Sequence, residues 1–192
     1  GSWVVRILKR VERMSWDCAD RVITIHEPIQ DLLVSRGLAR EKSTVIMNAV
    51  DEARFVLRPR PAQGAKAGEA GRFVMMYHGT LTRIYGLEVA VEAFAIAHRA
   101  MPGAEFWILG DGPERSSLGR LAQARGVPSK VKLLGAVPPA EVPNWLDQCD
   151  AGILPLRRDV FLEFAFPNKL SEYVVLGKCL IVSRLKTIRH YF

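Results

Sequence analysis

Lys169 and Glu172 stand three residues apart in the stretch from Phe161 to Gly177, and their types suit the binding of a phosphorylated sugar. Pro167 disfavours the helical region for Phe166, so the chain is expected to be extended there. Asn168 is a good N-cap, and Leu170, Tyr173 and Val174 then share one helical face. Gly177 closes the helix one residue past its end. The free amides of Lys169, Leu170 and Ser171 point out of such a helix start and attract phosphate, and Lys169 adds a full positive charge. Glu172, one turn on, can accept hydrogen bonds from sugar hydroxyls. The ordinary alternative is a solvated Glu172 and a surface Lys169, and spacing alone favours it.

A second loop, His78 to Gly86, has similar potential. Gly79 and Gly86 let backbone approach a ligand closely. Thr80 and Thr82 offer hydroxyls, and Arg83 offers a planar cation suited to phosphate. The loop is neither a dinucleotide fingerprint nor a Walker loop. The turn Gly110-Asp-Gly-Pro-Glu114 reads mainly as a turn and helix cap. His26, His78, His98 and His190 show no metal or catalytic spacing, no nucleophile elbow occurs, and Asp150 has a structural role by default. No metal site is expected.

These loops need a scaffold, and hydrophobic patterning supplies one. Apolar strands are predicted at 73–77, 105–109, 131–134, 151–154 and 179–182, alternating with helices. Pro113 is expected to open the helix after the second of them. Strands apolar on both faces imply a parallel sheet covered by helices on both sides. The fold class is therefore α/β, a Rossmann-like doubly wound sheet, whose ligands bind beyond the carboxyl ends of the strands. Before it, strands at 21–25 and 44–47 flank a helix that Pro28 opens and Gly37 ends. Residues 58–72, rich in proline and glycine, read as a linker. The expected division is 1–57, linker 58–72, and 73–192.

The 192 residues are half apolar and carry a net charge of +7. The charge is compatible with nucleic acid, an acidic membrane surface or a phosphate-bearing substrate. The basic residues are scattered and no nucleic-acid motif occurs, so nucleic acid ranks low. No run of 18 apolar residues occurs, no signal peptide is expected, and Gly1-Ser2 reads as a remnant of cloning. Cys18, Cys149 and Cys179 are odd in number and far apart, which fits a reduced, cytoplasmic setting. Residues 3–17 form an amphipathic helix with Trp3, Ile7, Val11 and Met14 on one face and Arg6, Lys9, Arg10 and Arg13 around it. Ordinary packing is the preferred expectation, and peripheral contact with the inner membrane face is the alternative.

As an ordered set, four segments resemble the retaining, family-four glycosyltransferases of GT-B fold. They are Ala19 to Ile25 with Val45 to Asp51 and Phe55; Tyr77 to Gly86; Ile108 to Pro113; and Pro167-Asn-Lys-Leu-Ser-Glu-Tyr173 with Gly177. The last is similar to the family's E-x7-E region. The resemblance implies that Glu172 binds the ribose of a nucleotide-sugar, and that Lys169, Leu170 and the helix start bind its diphosphate. Glu163 is the nearest match to the first Glu, which touches the donor sugar, but it is offset by one. Phe166 and Asn168 would contact the sugar through backbone, and Val137 would read the base. Gly79, Thr80 and Arg83 complete the expected site. The family's diphosphate-binding Arg and Lys fall on Thr80 and Tyr85, so either the cationic duty passes to Arg83 and Lys169 or donor binding is weakened.

The resemblance also implies metal-independent transfer of a sugar, with retention, from a nucleotide-diphosphate sugar to a sugar or lipid-linked acceptor. No cofactor is implied. An N-terminal acceptor domain is expected to be represented only by its last strand-helix-strand, making this a fragment inactive alone. Alternatives are a nucleotide-sugar 2-epimerase of the same fold and a non-catalytic nucleotide-sugar-binding module, the latter favoured by Thr80 and Tyr85. An NAD-binding Rossmann domain is disfavoured by the missing glycine fingerprint.

Overall fold

A computed structural model describes residues 2–56 and 72–192. All of the expected linker except Arg72 lies outside the described residues. The chain divides into two compact units, one comprising Gly1–Ala49 with Lys186–Phe192 and the other Val50–Leu185.

The first unit starts with α1 (Trp3–Cys18), β1 (Val22–Thr24), α2 (Glu27–Ser35) and β2 (Ser43–Val45). The two strands pair in parallel, Val22 opposite Ser43, over a shorter length than the apolar runs suggest. His26 caps α2, accepting the Ile29 N–H on Nδ1 at 3.3 Å, and Pro28 sits in the first turn where no donor is lost. The expectation that α1 packs like an ordinary core helix is corrected. Trp16 is its one buried residue, whereas Trp3 is 67% and Met14 65% exposed, and Ile7, Leu8 and Val11 are exposed with them. The helix is held from another side, where Arg36, just past the end of α2, donates to Glu12 at 2.9 Å and Lys42 donates to the Asp17 carbonyl at 3.0 Å. None of the described residues covers the apolar stripe. Among the described residues no helix is long and apolar enough to cross a membrane.

The second unit runs β3 (Phe73–His78), α3 (Leu87–Ala97), β4 (Ala104–Leu109), α4 (Arg115–Ala124), β5 (Val131–Gly135), α5 (Val142–Asp147), β6 (Ala151–Leu154), α6 (Asn168–Val175) and β7 (Cys179–Val182). All five strands are parallel, in the order β5-β4-β3-β6-β7. The Rossmann-like expectation is met. Met76, Tyr77, Phe106, Ile108 and Leu154 are fully buried in the central strands. The edge strand β7 is less covered, with Ile181 52% exposed. Pro113 lies in a turn, and α4 opens two residues later, at Arg115. The final helix α7 (Ile188–Tyr191) belongs to the first unit, where the Glu27 N–H donates to the Tyr191 hydroxyl at 3.2 Å.

Strand order reverses between β3 and β6, so the loops leaving those two strands diverge and open a crevice at the carboxyl edge. Helix α6 is seated over that edge by Tyr173. Its ring lies on Gly152 of β6, where an added Cβ would fall 2.6 Å from the ring, and its hydroxyl donates to the Met76 carbonyl of β3 at 2.8 Å. Tyr173→Phe leaves that buried carbonyl without the bond and is expected to cost about 1–2 kcal/mol in denaturant unfolding. An unchanged midpoint would deny Tyr173 this anchoring role.

Candidate functional site

Three backbone loops form the floor of the crevice. The Gly79 N–H donates to the Leu109 carbonyl at 2.8 Å, the Gly110 N–H to the Gly135 carbonyl at 2.7 Å, and the Leu81 N–H to the Asp111 carbonyl at 2.9 Å. The ends of β3, β4 and β5 are thus tied side by side. Above them lies a cleft of about 300 Å³, lined by His78, Gly79, Thr80 and Gly110 on one side and by Ala136 and Val137 beyond β5. Arg115 braces the far wall, donating to the Leu133 carbonyl at 2.9 Å.

Helix α6 supplies the polar groups. Its first residue is Asn168 and its cap position is Pro167, extended at φ −70° and ψ 137°, with no side-chain cap bond. The expected Asn168 N-cap is therefore displaced by one residue: proline already holds the extended conformation that a cap requires, and Asn168 turns helical and exposed. The helix ends as expected. Gly177 at φ +65° donates to the Val174 carbonyl at 2.9 Å and Lys178 to that of Tyr173 at 3.0 Å, a Schellman closure.

Glu172 is half-buried rather than solvated. Its Oε2 lies 2.5 Å from Nε2 of His78, whose side chain is 7% exposed. With the carboxylate as acceptor, Nε2–H is the donor, and His78 Nδ1 is a buried atom without a hydrogen-bond partner. The Tyr173 ring meets His78 edge-on at 5.0 Å. His78 thus belongs to the site, although histidine spacing in the sequence suggested no partner. The missed signal is its position as the last residue of β3, at the edge where ligands bind.

Lys169 is likewise no free surface charge. Its chain crosses Gly79 so closely that a Cβ there would lie 2.1 Å from Cε. Its ammonium sits 3.9 Å from the Tyr85 ring centroid and 5.2 Å from that of Tyr77, and donates to the Tyr77 hydroxyl at 3.4 Å. Burial lowers its pKa from 10.5 to about 8, while Glu172 pulls the other way. Burial pushes the Tyr77 pKa upward, so the phenol keeps its proton and donates a hydrogen bond to the Thr80 carbonyl at 2.8 Å.

The other expected residues fall in two groups. Thr80 and Val137 line the cleft with Gly79, and Leu170 is buried as a helix anchor. Arg83 is exposed on a single 3-10 turn, Arg83–Tyr85, beyond the loop. Glu163 lies on another such turn, Leu162–Phe164, where Arg158 donates to it at 2.7 Å, and Phe166 is half-buried in the extended segment before α6. Among the described residues no group of three or more His, Cys, Asp or Glu could hold a metal ion.

The five-stranded parallel sheet with its flanking helices is a Rossmann-like α/β domain of GT-B type. The chain belongs to the family described as glycosyl transferases group 1, whose model matches residues 72–191. It is 28% identical over 156 residues to a 2-deoxystreptamine N-acetyl-D-glucosaminyltransferase of Streptomyces fradiae, covering 78% of this chain and 37% of that protein. It is 25% identical over 154 residues to a 2-deoxystreptamine glucosyltransferase of Streptomyces kanamyceticus, covering 78% of this chain and 40% of the relative. The chain thus spans less than half the length of these curated relatives. Among solved structures, Anabaena HepE in complex with UDP and glucose superposes with a TM-score of 0.73 at 20% identity, covering 96% of this chain and 50% of that one.

Proposed function

We propose that this chain carries the donor half of a metal-independent, retaining glycosyltransferase that takes its sugar from a nucleotide-diphosphate sugar. The observation that carries the reading is the pairing, on one helix start, of a cation held over a glycine floor and a carboxylate held by a buried histidine. Lys169 and the positive end of α6 neutralise the diphosphate as it leaves, an electrostatic contribution made by groups already in place, although the Leu170 amide, expected to be free, donates to the Pro167 carbonyl at 2.9 Å. Glu172 accepts from the ribose hydroxyls, and Val137 reads the base through backbone. Family membership supports the transfer chemistry.

The acceptor is a sugar or a lipid-linked sugar, bound by an N-terminal domain of the longer protein, of which the first unit is the end. Two observations support this: the relatives are longer than this chain, and α1 leaves a whole apolar stripe uncovered by any described residue. A setting at the cytoplasmic membrane face fits a lipid-linked acceptor. Calorimetric titration with UDP, GDP, ADP and TDP tests the donor reading. Selective binding of one nucleotide is expected, and no heat from any of the four would count against it.

The site also has a pH signature. A bound diphosphate favours protonated Lys169, so nucleotide affinity is expected to fall as the pH rises through about 8. Lys169→Met should abolish that fall; a fall that persists would place the titration elsewhere. The stability contribution has the opposite sign. Between about 8 and 10.5 the unfolded chain holds the proton that folded Lys169 has lost, so stability from this group rises with pH.

A further inference from the structure

Tyr85 has no chemistry of its own in the reading above, yet its surroundings hold it closely. It closes the 3-10 turn Arg83–Tyr85, and the next residue, Gly86, is left-handed at φ +60°. A Cβ on Gly86 would fall 2.2 Å from the Pro155 carbonyl, so the turn is pressed against the chain leaving β6. The Tyr85 ring is thereby fixed 5.8 Å from the Tyr77 ring. The Lys169 ammonium lies nearer Tyr85 than Tyr77, at 3.9 against 5.2 Å. Glycine at 79 leaves room for the lysine stem to pass, since a side chain there would occupy the same space.

An ammonium that is largely withdrawn from water needs compensation, and an aromatic face offers it without neutralising the charge. A carboxylate in that place would cancel the field that a phosphate is meant to feel. The groups facing Lys169 are Tyr77 from β3, Tyr85 from the 3-10 turn, and Glu172 from α6, whose carboxylate accepts from His78. We propose that Tyr85 is a positioning residue, which holds the Lys169 ammonium over the glycine floor to meet the donor's diphosphate. The proposal rests on the donor-site reading and assigns a role to the aromatic ring, which replaces direct cationic contact at this point of the loop.

The test is a double-substitution cycle on the 192-residue chain. Binding of the nucleoside diphosphate selected by the four-way titration is compared with binding of its nucleoside, in Tyr85→Leu, Tyr85→Phe, Lys169→Met and Tyr85→Leu with Lys169→Met. Tyr85→Leu is expected to weaken the diphosphate about tenfold, as for a partly desolvated cation–π contact, and to leave the nucleoside unchanged. Tyr85→Phe should restore wild-type affinity, and Tyr85→Leu should have no further effect once Lys169 is Met. Equal losses with and without Lys169, or equal losses for nucleoside and diphosphate, would overturn the proposal in favour of a merely structural ring. A readout without ligand separates this from failure of the functional reading. The Lys169 Cε protons should show an upfield ring-current shift in NMR spectra that Tyr85→Leu largely removes, leaving the smaller share of the more distant Tyr77 ring, and that Tyr85→Phe keeps. An absent shift overturns the contact itself; a shift with no nucleotide bound overturns the donor-site reading and with it the role assigned to Tyr85.

Discussion

Glu172→Ala is expected to lower nucleoside diphosphate affinity by about ten- to a hundredfold, the worth of a hydrogen bond from a sugar hydroxyl to a charged acceptor. The loss has two sources that can be separated. One is direct, the missing acceptor for the ribose. The other is local: His78 Nε2, 2.5 Å from the carboxylate, would be left in a buried place with no partner. Glu172→Gln keeps a carbonyl that can accept from His78 while it removes the charge. It should therefore retain near-native stability and still bind weakly. Calorimetry of both variants, with unfolding curves beside it, distinguishes the sources. Affinity within about twofold of wild type in Glu172→Ala would end the ribose assignment, whatever happens to stability.

Gly110→Ala is the second large effect, and it acts on the scaffold. Gly110 has φ +143°, and an added Cβ would sit 1.9 Å from the carbonyl oxygen of Gly79, a residue whose own amide is tied into the floor. Nothing flexible can yield, so the loops after β3 and β4 must part. The cost combines overpacking with a disfavoured backbone conformation, about 3 kcal/mol or more. Gly177→Ala is the control. Gly177 is also left-handed, at φ +65°, but no atom lies within 4 Å of its missing Cβ, so the expected cost is only about 1 kcal/mol. Denaturant midpoints for the two variants decide the matter. Equal shifts would mean that backbone strain alone matters and that the close approach of the two loops does not.

Local information carried much of this protein. Continuous apolar runs such as Phe73 to Tyr77 and Ala151 to Leu154 sufficed for buried parallel strands, because a strand covered on both faces has no polar side to show. Pro167 and Gly177 marked the ends of α6, because proline and glycine restrict or free the backbone irrespective of what surrounds them. The cap itself was misplaced onto Asn168, since side-chain preference ranks asparagine highly and does not see that proline already meets the geometry. The packing of α1 was also misjudged. Periodicity reports that a helix has an apolar face, but not whether any described residue covers it.

Tertiary structure alone decided the site's chemistry. His78 and Glu172 are 94 residues apart, and Lys169 reaches Tyr77 across 92. No local pattern encodes such meetings, because they depend on strand order. Helix α6 follows β6 and lands beside the end of β3, because β6 pairs with β3. The sequence alone determined that a cation and a carboxylate open one helix at a strand's carboxyl edge. Only the assembled sheet decided that the cation would lie half-buried against two tyrosines and the carboxylate be held by a histidine, since burial and partner choice are properties of what packs around a residue.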